Sequence, residues 1–183
     1  DKQVYFKFQG IIMNLVYGNW SNLKYGEIEL FIAKDSAYEG EMASVKVALD
    51  KLNEYLESHY REYLEKIDAF LYENSRKKHK VKYRPRNILD AKNLKTIYMQ
   101  ELPITNEDIK ALQKYPDLFQ LHTRSCQIKG DIGCIEAQLY TDFHSTFEDV
   151  RTLNACQIGN VFLNKSMFKN PKIYPTSNRI KCL

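Results

Sequence analysis

Apolar and polar positions alternate over Val4-Tyr5-Phe6-Lys7-Phe8, and a second apolar run covers Ile11 to Tyr17. Gly18-Asn19-Trp20-Ser21-Asn22 is turn chemistry, and Glu27 to Ile32 is again strand-like. Together these stretches predict an antiparallel β-meander. Trp20, at a turn, is expected to anchor the core. The period then changes. Val45, Leu49, Leu52, Leu56, Tyr60, Tyr63, Ile67 and Phe70 recur at steps of three or four, which is the stripe of an amphipathic helix. One straight helix over residues 40–78 would be about 55–60 Å long. A compact domain of this size has a radius of gyration of only about 16 Å. The stripe therefore predicts a helical pair, broken near Ser58-His59, with Ser58 able to cap the second helix.

Farther on, Leu94 to Met99 reads as a strand. Thr105-Asn106-Glu107-Asp108 opens a short helix reaching about Lys114, because a capping hydroxyl is followed by acids in the first turn. Leu118 to Ile128 and Cys134 to Thr141 predict two strands joined as a hairpin around Lys129-Gly130-Asp131-Ile132-Gly133. Val150 to Asn154 and Gln157 to Leu163 are weaker strands. Residues 164–183, with Pro171 and Pro175, are expected to be an irregular tail, and no internal repeat is read. The expected fold is α+β in a single domain over 1–183. A mainly antiparallel sheet, made of the N-terminal meander and a C-terminal hairpin, is packed by the helical pair from residues 40–78.

Composition changes this picture little. The chain has 183 residues, 44% hydrophobic and 27% charged, which excludes wholesale disorder and favours one sizeable core. Thirteen tyrosines suit a core with polar edges or a contact surface. No run of eighteen apolar residues occurs, so no membrane span is expected. Cys126, Cys134, Cys156 and Cys182 have irregular spacings and are read as free thiols, which points to a cytoplasmic location.

Charge is uneven. The net charge is +4, yet residues 76–86 read RKKHKVKYRPR, seven of eleven being Lys or Arg. Lys77, Lys78, Lys80, Lys82 and Arg84 could neutralise phosphates, with Tyr83 available for stacking. A solvated, exposed loop is the plainer reading. His122, Cys126, Cys134 and His144 are metal-ligand types at a spacing that matches no zinc motif, so no metal and no cofactor is expected. A nucleophile elbow, a phosphate-cradling glycine loop and H-E-x-x-H are all missing from the sequence, and no catalytic residue is named.

The order of parts carries a resemblance. A meander containing Trp20 leads into Gly26-Glu27-Ile28-Glu29-Leu30. A helical region ends in Ile67-Asp68-Ala69-Phe70-Leu71-Tyr72, and a later strand finishes in Leu139-Tyr140-Thr141-Asp142-Phe143-His144. This resembles uncharacterised bacterial domains predicted to be immunity proteins of polymorphic toxin systems. In those, an aromatic, an acid and a histidine follow a comparable strand, and Tyr140, Asp142 and His144 match them here. The resemblance implies a non-catalytic protein-binding module with a toxin as its protein partner. Two rival readings stand beside it: a nucleic-acid module acting through 76–86, and an enzyme with a non-local acid/base pair.

Overall fold

The computed structural model describes residues 2–17, 28–59, 94–116, 118–148, 157–169 and 180–182. Trp20, the basic stretch 76–86, the second half of the expected helical pair and Val150 to Asn154 lie outside them.

Strands β1 (Lys2–Phe8), β2 (Ile11–Tyr17) and β3 (Ile28–Lys34) form the predicted antiparallel meander. Gln9 and Gly10 make the β1–β2 turn with φ of 39° and 80°, the left-handed pair that a two-residue hairpin requires. A side chain at position 10 would also meet the Tyr38 ring at 2.7 Å. Helix α1 (Val45–His59) lies against the inner side of these strands. Its stripe of Val45, Ala48, Leu49, Leu52 and Leu56 is buried with Val4, Ile11, Met13, Leu30 and Ile32, and Tyr55 meets Phe6 at 5.0 Å between ring centroids.

Beyond β3 the architecture departs from the antiparallel expectation. The remaining elements are β4 (Leu94–Gln100), β5 (Pro103–Ile104), α2 (Asn106–Leu112), β6 (Gln120–Arg124), β7 (Gln127–Ile128) and a 3-10 turn (Ile132–Cys134). They continue with β8 (Leu139–Phe143), β9 (Thr146–Phe147), β10 (Asn160–Asn164), β11 (Met167–Phe168) and β12 (Ile180–Cys182). The large sheet has eight strands in the order β1-β2-β3-β4-β6-β8-β10-β12, and every pairing from β3 onward is parallel. A second parallel sheet runs β11-β9-β7-β5. The fold is thus mixed α/β, not α+β with a mainly antiparallel sheet. The expected hairpin at 129–133 does not form: Asp131 N–H bonds Asn106 Oδ1 at 2.9 Å, and the 3-10 turn carries the chain back toward the start of β6 before β8 begins. Within residues 40–59 the helix begins only at Val45. The described helix beside it is α2, far along the chain. Residues 164–183 also contribute β11 and β12.

The parallel part is a repeat. Five positions spaced 3, 2, 3 and 2 residues apart recur four times, starting at residues 94, 118, 137 and 158. The first coil has Leu94, Ile97, Met99, Leu102 and Ile104. The second has Leu118, Leu121, Thr123, Cys126 and Ile128. The third has Ala137, Tyr140, Asp142, Ser145 and Phe147. The fourth has Ile158, Val161, Leu163, Ser166 and Phe168. The same intervals in four successive coils are the mark of a repeat architecture, each coil one unit stacked on the next. Between the third and fourth positions each coil turns a corner through one residue at positive φ: Glu101 at 56°, Ser125 at 51°, His144 at 64° and Lys165 at 53°. The corner amides of Glu101, Ser125 and His144 each bond the last strand carbonyl of the next coil, Arg124, Phe143 and Asn164, at 2.9 Å. These three bonds offset part of the strain of a left-handed residue that is not glycine.

Candidate functional site

Side chains alternate across a strand, so each coil that buries its repeat positions must present the intervening residues on the sheet's other face. The registers align these in rows. One row runs Tyr5, Asn14, Phe31, Tyr98, His122, Thr141 and Phe162 across seven strands. A neighbouring row runs Lys7, Ile12, Ala33, Gln100, Arg124, Phe143 and Asn164. Over β3 to β10 this face is an open groove of about 450 Å³, lined by Phe31, Tyr98, His122, Arg124, Thr141, Phe143 and Phe162 among others.

The groove floor carries a stack. Phe31 and Tyr98 lie 4.5 Å apart at 7°, and Tyr98 and His122 lie 4.6 Å apart at 7°. These separations equal the spacing of neighbouring strands, about 4.8 Å, so the sheet itself sets the stack. His122 Nε2 bonds Gln120 Oε1 at 3.1 Å, and Nδ1 bonds Thr141 Oγ1. An amide oxygen only accepts, so Nε2 carries a proton, while the Thr141 hydroxyl can donate to Nδ1 of the neutral ring or accept from the charged one. Burial pushes the His122 pKa down and so favours the neutral imidazole. Burial, followed by the Glu29 carboxylate, pushes the Tyr98 hydroxyl up. Burial alone raises Glu29. At the adjacent row, Arg124 and Lys165 sit over the Phe143 ring at 5.1 and 5.7 Å. Both are exposed, and neither pairs with a carboxylate among the described residues.

The burial of His122 fixes the sign of a pH effect. An unfolded imidazole titrates near 6.5, and the folded one below that. Between those two values the unfolded chain binds more protons, so acid destabilises the fold. The titratable group stacked on the ring is Tyr98, and Arg124 lies two residues along the same strand. Thermal melts are expected to show stability falling as pH drops below about 6.5, and His122→Phe is expected to flatten that part of the profile.

The residues singled out from the sequence fall in different places. Lys77, Lys78, Lys80, Lys82, Tyr83 and Arg84 lie outside the described residues. Tyr140 and Asp142 are brought together, but inside the coils, at 0% and 3% exposure. Thr123 joins them, its hydroxyl 2.5 Å from Tyr140 OH and donating to Asp142 Oδ1 at 2.6 Å. Asp142 Oδ2 also accepts the Ser145 N–H at 3.2 Å and the Ser166 hydroxyl. His144 stands apart, exposed at a corner. The four metal-ligand types do not gather. His122 faces the groove, while Cys126 is buried at an inner corner with its thiol pushed up to about 11 by burial. Among the described residues no three His, Cys, Asp or Glu side chains are grouped to hold a metal.

Sequence reasoning missed Phe31, Tyr98, Arg124, Phe143 and Phe162, and weighed His122 only as a metal-ligand type. The signal was the repeat: Tyr98, His122, Thr141 and Phe162 all occupy the same step, between its second and third positions. Fold and site together define a short parallel solenoid with an open, aromatic sheet face. No family model, curated protein or solved structure matches the chain.

Proposed function

We propose that this chain is a non-catalytic protein-binding module whose contact surface is the open face of the large sheet. The observation that carries the reading is the Phe31–Tyr98–His122 stack beside two exposed cations that no described carboxylate neutralises. Aromatic and arginine anchors in a partly desolvated centre are the groups that dominate protein interfaces. Solenoids characteristically use such sheet faces for extended binding surfaces. Neutralisation of a toxin by occlusion is the form of this function that the sequence resemblance implies, and it calls for a tight one-to-one complex. Free thiols at Cys126 and Cys134 support the expected cytoplasmic location. Among the described residues no helix is long and apolar enough to cross a membrane.

The test is a tagged pull-down from the native cell after nuclease treatment, followed by affinity measurement with the recovered partner. Tyr98→Ser is expected to weaken that complex about 30-fold, the effect of a 2 kcal/mol anchor. A partner held equally well by Tyr98→Ser and by Phe31→Ser, with both variants folded, would place the contact surface elsewhere. Partners that vanish with nuclease would favour nucleic acid and residues 76–86 instead.

A further inference from the structure

Two cations converge on one ring where the groove meets the corner of the coils. Phe143 ends β8, paired with Arg124 of β6 on one side and with Asn164 of β10 on the other. The Arg124 guanidinium lies over the Phe143 ring at 5.1 Å. Lys165, the corner residue that follows Asn164, brings its ammonium to the same ring at 5.7 Å. Arg124 has an acid close by, since the Glu101 N–H bonds the Arg124 carbonyl at 2.9 Å. Yet the two side chains form no ion pair, and the guanidinium lies over the ring of the following coil instead. Like charges drawn to one place repel each other, so an anion seated between them is favoured.

The neighbours of the pair say what carries that anion. The planar guanidinium matches a carboxylate with two parallel hydrogen bonds, and the ammonium adds a point charge beside it. In the adjacent row Tyr98 has Phe31 on one face and His122 on the other. It therefore offers an incoming molecule its edge and its hydroxyl, with both faces already covered. Single-stranded nucleic acid gains its contact by stacking bases on open ring faces. Protein side chains pack readily against ring edges, and an edge carries the positive end of the ring quadrupole. We infer that the corner formed by Arg124, Phe143 and Lys165 receives an acidic side chain of the partner protein, its carboxylate held between the two cations. The inference rests on the reading of this face as the contact surface, and it adds that the partner is acidic where it meets this corner. Opposite charges placed there steer the encounter and fix how the partner lies along the groove.

The probe is a capped hexaglutamate peptide, titrated at neutral pH and low salt into the isotope-labelled full chain. Binding is followed by the Arg124 Nε–H and Phe143 ring resonances. Saturable shifts at both are expected, and none with capped hexaglutamine. The double variant Arg124→Glu, Lys165→Glu alters two exposed side chains and is expected to melt normally. It should bind hexaglutamate at least about tenfold more weakly and respond to hexalysine instead, a reversal that a merely structural role would not produce. The basic stretch is separated by changing Lys77, Lys78, Lys80 and Lys82 to Glu, which is expected to leave the Phe143 shifts in place. Loss of those shifts in that variant, or undiminished hexaglutamate binding by the folded double variant, would overturn the proposal. So would a six-residue oligothymidylate that shifts Arg124 and Phe143 at lower concentration than hexaglutamate, which assigns the corner to nucleic acid. A native partner that needs Tyr98 but tolerates the double reversal would overturn the acidic contact and leave the contact face standing. A partner indifferent to the double reversal, to Tyr98→Ser and to Phe31→Ser would remove both.

Discussion

Asp142→Ala is expected to lower the unfolding free energy by about 3–5 kcal/mol, because it strips the acceptor from two buried donors and a third that is half-buried. The Thr123 hydroxyl, the Ser145 N–H and the Ser166 hydroxyl all end on this one carboxylate. They belong to three successive coils, so Asp142 ties the second and fourth to the third from inside. Ser145 in turn accepts the Cys126 N–H at 3.0 Å, which passes the same support to the corner of the second coil. For a chain of this length the loss corresponds to a fall in Tm on the order of 10 °C. The repeat supplies a more discriminating variant. Leu163 and Met99 hold the equivalent position in the fourth and first coils. Asp142→Leu therefore fits the pattern of the row but still orphans its donors. Combined with Thr123→Val and Ser166→Ala, which delete two of them, it is expected to recover much of the stability. Denaturant titration of the four proteins checks this. If Asp142→Ala leaves the midpoint in place, the carboxylate is not what holds the coils in register.

The same residue shows why the sequence was legible only in part. Strands β1 to β3 pair with their chain neighbours, so alternation and local turn chemistry suffice to read them. The α1 stripe and the Thr105–Asp108 start of α2 are likewise local. The coils are not. Their pairing partners lie a full repeat away, at intervals that drift because one connection holds a helix and another a 3-10 turn. At the third repeat position Met99, Thr123, Asp142 and Leu163 share a place in space but no hydropathy. At the fourth, Leu102, Cys126, Ser145 and Ser166 do the same. An apolar alternation broken at Thr123 and Asp142 looks like a strand end followed by a polar loop. The corners added no warning, since Glu101, Ser125, His144 and Lys165 take a left-handed conformation without the glycine that usually marks it. The aromatic, acid and histidine at 140, 142 and 144 look like one surface cluster in sequence. Period-two geometry instead sends Tyr140 and Asp142 inward and leaves Thr141 and Phe143 on the groove. The aromatic face became visible only once the strands were in register.

Asp108→Ala is the second large effect expected, about 2–4 kcal/mol, and its cause is the joint between the meander and the solenoid. Asp108 is 1% exposed. Its Oδ2 accepts the backbone N–H of Thr105 at 2.8 Å and the Thr105 hydroxyl at 3.0 Å, closing the start of α2. Its Oδ1 accepts the Lys46 N–H at 2.8 Å, in the first turn of α1. Helix α1 has no acid of its own in that turn, so Asp108 brings the negative charge that the N-terminal end of the helix favours. Ser44 Oγ takes the Val47 N–H at 3.1 Å, which leaves Lys46 dependent on the distant carboxylate. Thr105→Ala removes one hydroxyl and is expected to lower stability by only about 1 kcal/mol. Hydrogen exchange separates the two roles of Asp108. In Asp108→Ala the Lys46 amide should exchange much faster than in Thr105→Ala, even under conditions where global stability has been matched. Equal exchange at Lys46 in the two variants would mean that α1 is held by its apolar stripe alone, and that the carboxylate serves only α2.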